Sequence, residues 1–202
     1  AVTVTQGKLE GLGLSSLDFE TGSSQYIDTT NDAVLDSIGT GDWTMSVWLT
    51  RETAGVSQTI AGKVLAGWGG SMGFQFGLLS TNKVRVDMQT RLLDSTATIT
   101  TTDKWYHIVV SKNSSVFKIW IDGVLDASGA SSSPASLTMA GASPMMIGKY
   151  GEATTEYYDG KMRDVRMYDY SLSDDQVASL YSGSYNVTPL NWWKLDEGHT
   201  TA

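Results

Sequence analysis

Short alternating strands separated by turn residues are the feature that most constrains the fold of this chain. Val, Ile, Thr and aromatic residues recur in short runs, which Gly, Ser, Asn or Asp interrupts roughly every eight to twelve residues. This spacing is typical of a β-sandwich or a jelly roll, so the sequence predicts an all-β fold with two packed sheets. The predicted strands span residues 17–20, 25–29, 43–50, 58–64, 72–79, 83–88, 97–101, 105–111, 116–121, 145–149 and 161–168.

The strand at residues 43–50 shows the alternation most clearly. Every second residue is apolar, and only Trp48 interrupts the polar side, so we expect a helix or a loop to cover Trp48. Residues 105–123 predict a hairpin followed by a second tight turn at Asp122-Gly123, because this dipeptide tolerates positive φ angles.

One short helix is predicted near residues 174–181. Ser173 can cap its first turn, Gln176 completes a capping box, and Gly183 can end the helix. The helix carries a single apolar stripe, so we expect it to lie on the surface of the sandwich. Residues 127–136 are rich in Ser, Ala and Gly and predict a loop.

The charge of the chain argues against two classes of partner. Among 202 residues, 14 are Lys or Arg and 22 are Asp or Glu, so the formal net charge is −8. This charge repels the phosphates of nucleic acids and anionic lipid surfaces. No apolar run approaches the roughly 20 residues that cross a bilayer. We therefore expect no nucleic acid partner and no insertion into a membrane.

Seven segments follow one another in the order of a known family. They are residues 17–28, 42–48, 105–110, 118–123, 146–148, 158–173 and 175–181. Together they resemble the laminin G-like, concanavalin A-like jelly roll, which implies a two-sheet antiparallel sandwich with one short surface helix. The resemblance does not define a function, because this fold hosts lectin modules, sialidase and glycosidase accessory domains, pentraxins, adhesion repeats and some glucanases.

The predicted organisation is one laminin G-like domain over residues 1–202. Residues 190–198 resemble the strand that usually opens such a domain. This segment either closes the sheet of the same domain or begins a following repeat. Exposure of Trp192 and Trp193 would be costly, which favours the closing strand.

Two patterns that could indicate catalysis are missing or misplaced. Catalytic members of the resembled fold carry Glu-x-Asp-x-Glu, or the same pattern with one extra residue, on one strand, and none of the six Glu begins it. Residues 69–73 match Gly-x-Ser-x-Gly and His199 follows, but a nucleophile elbow needs a helix after the Ser. Residues 74–79 alternate like a strand instead. We therefore expect no enzymatic activity.

Aromatic residues in loops are candidates for carbohydrate binding, because a sugar ring stacks on an aromatic face. Trp68 lies among glycines, and Tyr150, Tyr157 and Tyr158 lie in the loop before the last long strand. For Trp68 and Tyr150, packing within the loop is the alternative interpretation.

Polar residues on one sheet face are further candidates. Gln75, Arg85 and Asp87 alternate with apolar residues, so they should form a polar patch that faces away from the core. We take Arg85 and Asp87 as candidate ligands for sugar hydroxyls. The alternative is that both belong to an ordinary solvated face.

The family resemblance also implies a structural calcium ion. It would be held by Glu20, by carbonyl oxygens of the turn at residues 21–24, and by Asp164, since Ca²⁺ prefers oxygen ligands. The alternative for Asp164 is an ion pair with Arg163 or Arg166.

The sequence thus favours a non-catalytic recognition module that binds carbohydrate. It would form part of a larger extracellular, cell-surface or viral adhesion protein or enzyme, and its partner would be a glycan or a glycoprotein surface. The alternative is a structural, calcium-stabilised spacer domain without a small ligand. Both hypotheses predict a location outside the cell or on a cell or virion surface.

Overall fold

The computed structural model describes residues 16–29, 33–64, 73–88, 91–130, 143–150, 155–184 and 187–195. The helices and strands are β1 (Leu17–Phe19), β2 (Ile27–Asp28), α1 (Ala33–Ile38), β3 (Trp43–Leu49), β4 (Gln58–Val64), β5 (Gly73–Leu78), β6 (Lys83–Met88), β7 (Arg91–Thr98), β8 (Tyr106–Asn113), β9 (Val116–Ile121), β10 (Val124–Ala130), β11 (Met146–Ile147), β12 (Gly160–Tyr168), α2 (Asp174–Tyr181) and β13 (Asn191–Trp193). Neither helix is long enough to span a bilayer.

Two antiparallel sheets form a sandwich. The seven-stranded sheet has the order β1-β12-β3-β8-β9-β10, with β13 also paired to β12. The six-stranded sheet has the order β2-β11-β4-β5-β6-β7. This architecture confirms the predicted all-β jelly roll.

The core lies between the two sheets. Alternate residues of β3 point inward, and Trp43, at the start of the strand, is fully buried against Phe74 of the opposite sheet, with their ring centroids 5.3 Å apart. Phe76 and Val86 add to the same layer. Each such side chain contributes about 1.5–3 kcal/mol by leaving water.

Helix α2 begins and packs as the sequence predicts. The Ser173 side chain accepts a bond from the Gln176 amide, and the Gln176 side chain accepts one from the Ser173 amide. Val177 and Leu180 are buried against Trp120 in a second apolar cluster on the outer face of the seven-stranded sheet. The capping box and the surface position of the helix are therefore confirmed.

The predicted hairpin is also confirmed. The prediction of a loop over residues 127–136 is wrong for residues 127–130, and residues 131–136 lie outside the described residues. β8 and β9 pair, and Asp122 and Gly123 have φ angles of 50° and 80° before β10 begins. β10 continues to Ala130, so residues 127–130 form a strand instead of a loop. Small residues give this strand no apolar alternation, and its pairing with β9 defines it.

Two further elements differ from the prediction. Only residues 97–98 of the strand expected at 97–101 lie in a strand, as the end of β7, which begins earlier, at Arg91. Helix α1 was not predicted, since its six residues are too few for a clear helical period. Its Leu35 and Ile38 are buried in the core.

The last described segment pairs with the sandwich. β13 lies beside β12, with Val165 opposite Trp193, and the Leu190 amide donates to the Met167 carbonyl at 2.7 Å. Trp193 packs against the core. Residues 190–195 therefore lie against this sandwich, although Trp192 is exposed.

Candidate functional site

A pocket of about 300 Å³ opens on the outer face of the six-stranded sheet. Strands β4, β5 and β6 and the segments around residues 150 and 156 contribute to it. The described residues that line it are Ser57, Gln58, Gln75, Gly77, Leu78, Leu79, Arg85, Asp87, Tyr150, Thr155 and Glu156.

Strand alternation places the polar side chains of this pocket. Phe74 and Phe76 point into the core, so Gln75 between them points outward. The register pairs Gln75 with Asp87 and Gly77 with Arg85 across β5 and β6. The predicted polar face is therefore present, and it forms part of a concave site.

Gly77 is required where β5 passes β4. A Cβ atom at this position would lie 2.6 Å from the carbonyl oxygen of Gln58, closer than real Cβ contacts allow. Because Gly77 has no side chain, the space beside Arg85 stays open.

Glu156 is fixed over the sheet by three hydrogen bonds. The Gln75 side-chain amide donates to Glu156 Oε2 at 2.8 Å, and the Thr59 hydroxyl donates to the same oxygen at 3.2 Å. The Thr59 backbone amide donates to the Glu156 carbonyl at 2.8 Å. No other described residue bonds to this carboxylate, so Oε1 remains available to a ligand.

Arg85 is held by a two-pronged ion pair with Asp94 on β7. Its Nε donates to Asp94 Oδ1 at 2.6 Å, and its Nη2 donates to Oδ2 at 2.8 Å. This hydrogen bonding raises the pKa of Arg85 further and fixes the plane of the guanidinium group.

Asp87 has the most altered acidity in the pocket. Burial raises its pKa to about 6; nearby Arg85 opposes this shift and Asp94 adds to it. The carboxylate is therefore mostly ionised at neutral pH. No described residue donates a hydrogen bond to it, so it can accept one from a ligand.

Tyr150 supplies an aromatic surface at the same pocket. The ring is partly buried, and burial, with smaller effects of Glu156 and Asp87, raises the pKa of its hydroxyl to about 12. The hydroxyl stays protonated at neutral pH. The structure thus brings Tyr150 to the same pocket as Arg85 and Asp87 of β6, although Tyr150 is distant from them in sequence.

This combination of groups suits a sugar. A ring face can stack on a C–H face of a pyranose, and carboxylates accept hydrogen bonds from its hydroxyls. Gln75 and Arg85 add donors beside these acceptors. Leu78 and Leu79 also line the pocket, so its surface combines polar and apolar side chains.

Tyr158 was wrongly predicted to contact a ligand. It is fully buried, its hydroxyl donates to the Thr50 carbonyl at 2.6 Å, and its ring meets Phe19 edge to face. Adjacent Tyr157 is half-buried, with its ring centroid 6.4 Å from that of Tyr26, and does not line the pocket. Trp68, residues 69–72 and His199 lie outside the described residues.

Glu20 belongs to an acidic cluster, but with partners other than the predicted one. Carboxylate oxygens of Glu20, Glu52 and Asp159 lie within 4.8 Å of one another. Repulsion from Glu52 is the main cause that raises the pKa of Glu20, and Lys161 opposes it. These three residues could hold a metal ion, since hard cations prefer such oxygen ligands.

Asp164 is not part of this cluster, so its prediction as a metal ligand is wrong. Its carboxylate accepts bonds from Arg163 at 2.7 Å, from Arg166 at 3.0 Å and from the Trp192 indole at 3.0 Å. A bulge in β12 at Asp164, where φ is 54°, brings both Arg side chains to one face. The alternative ion-pair interpretation is confirmed.

His107 lies in an aromatic stack on the outer face of the seven-stranded sheet. Its ring is fully buried. The ring centroid lies 5.0 Å from that of Trp48 and 6.0 Å from that of Tyr181, at the end of α2. Tyr181 also stacks on Trp48 at 5.6 Å, which confirms that a helix covers Trp48. Neither ring nitrogen of His107 bonds to a described residue.

This stack predicts an acid-sensitive stability. Burial, with Arg166 and Arg163, lowers the pKa of His107 from 6.5 to about 3. The unfolded chain then binds a proton that the folded chain does not, so stability falls as pH drops below about 6.5. We expect His107→Phe, which keeps a stacking ring, to lack this pH-dependent part of the stability. In urea unfolding between about pH 7.5 and 4.5, the wild type should lose about 2–3 kcal/mol more than the variant. If the wild type and the variant lose the same unfolding free energy over this pH range, His107 is not a neutral buried residue.

Sequence reasoning undervalued part of the site. Gln75 was recognised from its alternation but not as a ligand residue, and Glu156 reads as solvated charge in a loop. Glu52 and Asp159 gave no metal signal, since only the folded chain brings them to Glu20. The alternation in β5 could have identified Gln75, whereas no local pattern identifies Glu156.

Comparisons with known proteins agree with this fold. The family described as the concanavalin A-like lectin/glucanases superfamily matches residues 21–178. A comparison with curated proteins finds no significant match. Among solved structures, a protein of Bacteroides ovatus ATCC 8483, provisionally described as carbohydrate-binding, has a TM-score of 0.65 at 15% identity, and the match covers 96% of this chain and 58% of that one.

Two other structures are similar at the level of fold. The Ruminococcus gnavus IT-sialidase CBM40, bound to α2,3-sialyllactose, has a TM-score of 0.64 at 12% identity, covering 89% of this chain and 99% of that one. A botulinum neurotoxin type C structure, described as interacting with two ganglioside molecules, has a TM-score of 0.64 at 14% identity. The match covers 90% of this chain and 44% of that one. The matched family and the observed sandwich together show that this chain belongs to the concanavalin A-like lectin/glucanase superfamily.

Proposed function

We propose that this domain is a non-catalytic module that binds carbohydrate in the pocket over β4, β5 and β6. One observation carries the proposal: the Tyr150 ring lies beside Gln75, Asp87 and Glu156, which offer donors and acceptors at one concave surface. Sugar sites need this combination of a stacking face and polar groups.

The descriptions of similar structures support the same function. The Bacteroides ovatus protein and the CBM40 module are both described through carbohydrate binding. Structures at 12–15% identity show only that the fold is shared. The assignment of the binding site therefore depends on the pocket of this chain. The chain spans 58% of the first of these structures, and the activity of any larger protein is a separate question.

The pocket does not favour hydrolysis. A glycosidase needs a second carboxylate beside one of raised pKa, free to act as base or nucleophile. Here Asp87 has the raised pKa, but Gln75 and Thr59 hold the other carboxylate, Glu156, by its Oε2 atom and leave Oε1 as a single acceptor for ligand hydroxyls. We infer a recognition role in which the glycan is bound and released unchanged. Its glycans or glycoproteins would lie outside the cell or on a cell or virion surface.

A glycan array tests this function. We expect the purified chain to bind a subset of printed glycans and Asp87→Asn to lose most of that signal, because the pocket then lacks one of its two ionised acceptors. Asp175→Asn, an exposed change on α2, is the matched control and should bind normally. Release of new reducing ends from bound glycans would contradict a non-catalytic role. Absence of binding to any glycan would favour the spacer alternative.

We further propose that the cluster of Glu20, Glu52 and Asp159 binds a structural calcium ion. Mutual repulsion raises the pKa of Glu20, and a cation would relieve this repulsion. Two existing bonds orient Asp159, whose oxygens accept from the Thr21 amide at 3.3 Å and from the Thr53 hydroxyl at 2.6 Å. Lys161, 3.2 Å from Glu52, is the competing cation.

Calcium should therefore stabilise the folded chain. A free calcium concentration one hundred times Kd adds about 2.7 kcal/mol to the free energy of unfolding. For a domain of this size, this gain corresponds to a rise in Tm of about 5–10 °C. Calorimetry of chelator-treated protein with and without added calcium measures this shift. Glu52→Gln should abolish the shift, and Asp164→Asn should keep it. A Tm that calcium does not change would show that Lys161 alone balances these carboxylates.

A further inference from the structure

We propose that the pocket selects uncharged glycans and excludes sialylated ones. This inference rests on the proposed carbohydrate-binding function and concerns which class of glycan the pocket accepts. It is carried by the arrangement of charges around Arg85, which is the one cationic residue among the described lining residues.

The positive charge of Arg85 is already neutralised. Asp94 on β7 receives both the Nε and Nη2 hydrogen bonds of the guanidinium group, at 2.6 and 2.8 Å. An anionic sugar would have to displace this carboxylate, which is covalently part of the adjacent strand and is held in register opposite Arg85. A sialic acid carboxylate therefore finds no free cation among the described residues of the pocket.

Two carboxylates in the pocket form no ion pair with any described residue. Asp87 and Glu156 both line it, and both contribute to the raised pKa of the Tyr150 hydroxyl. Their fields therefore overlap at the aromatic surface where a sugar would stack. Together with the net charge of −8 on the chain, they repel an anionic glycan.

The same carboxylates favour neutral sugars. Hydroxyl groups of a hexose donate hydrogen bonds, and bonds to an ionised acceptor are stronger than those between neutral groups. Asp87 and Glu156 Oε1 receive no such bond from the described residues. The pocket thus offers acceptors for hydroxyl donors and no counter-ion for a carboxylate.

The exclusion should weaken in acid. Arg85 on the same strand and Asp94 on β7 act on Asp87, and Asp87 and Glu156 both act on the Tyr150 hydroxyl from the loop segment. The pKa of Asp87 is about 6, so one of the repelling charges is lost below that pH. The preference for uncharged glycans should be greatest above about pH 7.

Matched glycans test the proposal on the whole chain. A printed array carries neutral oligosaccharides, their α2,3-sialylated forms and their fucosylated forms, with lactose, sialyllactose and fucosyllactose as one set. At low salt and pH 7.5, we expect binding of neutral members and at least fivefold weaker binding of their sialylated forms. A neutral fucose added to the same core controls for bulk. Salt should narrow the difference, since it screens charge.

Two variants separate local from overall charge. Asp94→Asn frees Arg85 and removes one negative charge beside the pocket, so the ratio of neutral to sialylated binding should fall roughly fivefold to tenfold. Asp175→Asn removes the same charge from α2, on the opposite sheet, and should leave the ratio unchanged.

Equal or stronger binding of sialylated glycans by the wild type would overturn this inference and leave the carbohydrate-binding function intact. A ratio that Asp94→Asn does not change would also overturn it. Binding of no glycan of either class would contradict the proposed function itself, and this inference with it.

Discussion

Replacing Tyr158 with Ala is expected to lower the free energy of unfolding by about 3–5 kcal/mol. The ring is fully buried against Phe19, and its hydroxyl donates to the Thr50 carbonyl at 2.6 Å. The substitution would leave a core cavity and an unsatisfied carbonyl. Urea unfolding followed by tryptophan fluorescence measures the loss.

Two neighbouring variants serve as controls. Tyr158→Phe keeps the ring and removes only the hydrogen bond, so it should cost about 1–3 kcal/mol. Tyr157→Ala, at a half-buried position, should cost about 1 kcal/mol. Because Tyr158 lies away from the pocket, Tyr158→Phe should bind glycans as the wild type does. A Tyr158→Ala protein of unchanged stability would show that this ring is not in the core.

Replacing Tyr150 with Ala is expected to weaken glycan binding by about tenfold to a hundredfold. The ring is the aromatic surface of the pocket, and its loss removes the stacking contact and leaves the surrounding acceptors in place. Stability should change little in comparison with Tyr158→Ala, because Tyr150 is only partly buried. Titration calorimetry with the best glycan from the array gives the affinity.

Tyr170→Ala is the matched control for Tyr150. It removes an exposed Tyr that lies two residues after the end of β12, beside the other sheet, and it should leave the affinity unchanged. Tyr150→Phe keeps the stacking face and should retain most of the binding. If Tyr150→Ala binds as tightly as the wild type, the ring does not contact the glycan.

The sandwich and the polar face could be predicted because both depend on local alternation. A residue between two core-facing neighbours in a strand must point outward, which is why Gln75 between Phe74 and Phe76 was placed correctly. The helix at residues 174–181 could be predicted for the same reason, since its capping box lies within four consecutive residues. Strand β10 escaped prediction because pairing with β9, and not its own small residues, defines it.

The rest of the site depends on contacts that local patterns do not record. Tyr157 and Tyr158 are adjacent in a segment without strand periodicity, so the sequence does not distinguish the buried ring from the half-exposed one. Glu156 reaches the pocket because its carbonyl accepts from the Thr59 amide, a contact across 97 residues. The bulge at Asp164 likewise redirects the two Arg side chains beside it.

The central claim is that a glycan occupies the pocket beside Gln75, Asp87 and Tyr150. Chemical-shift mapping by NMR during titration with the best glycan from the array tests it most directly. We expect the largest shifts at the Gln75 side-chain amide, the Gly77 amide and the Arg85 Nε–H, with saturation at one affinity. Shifts confined to the opposite sheet, such as the Trp192 indole, would contradict the account and place binding on the other face.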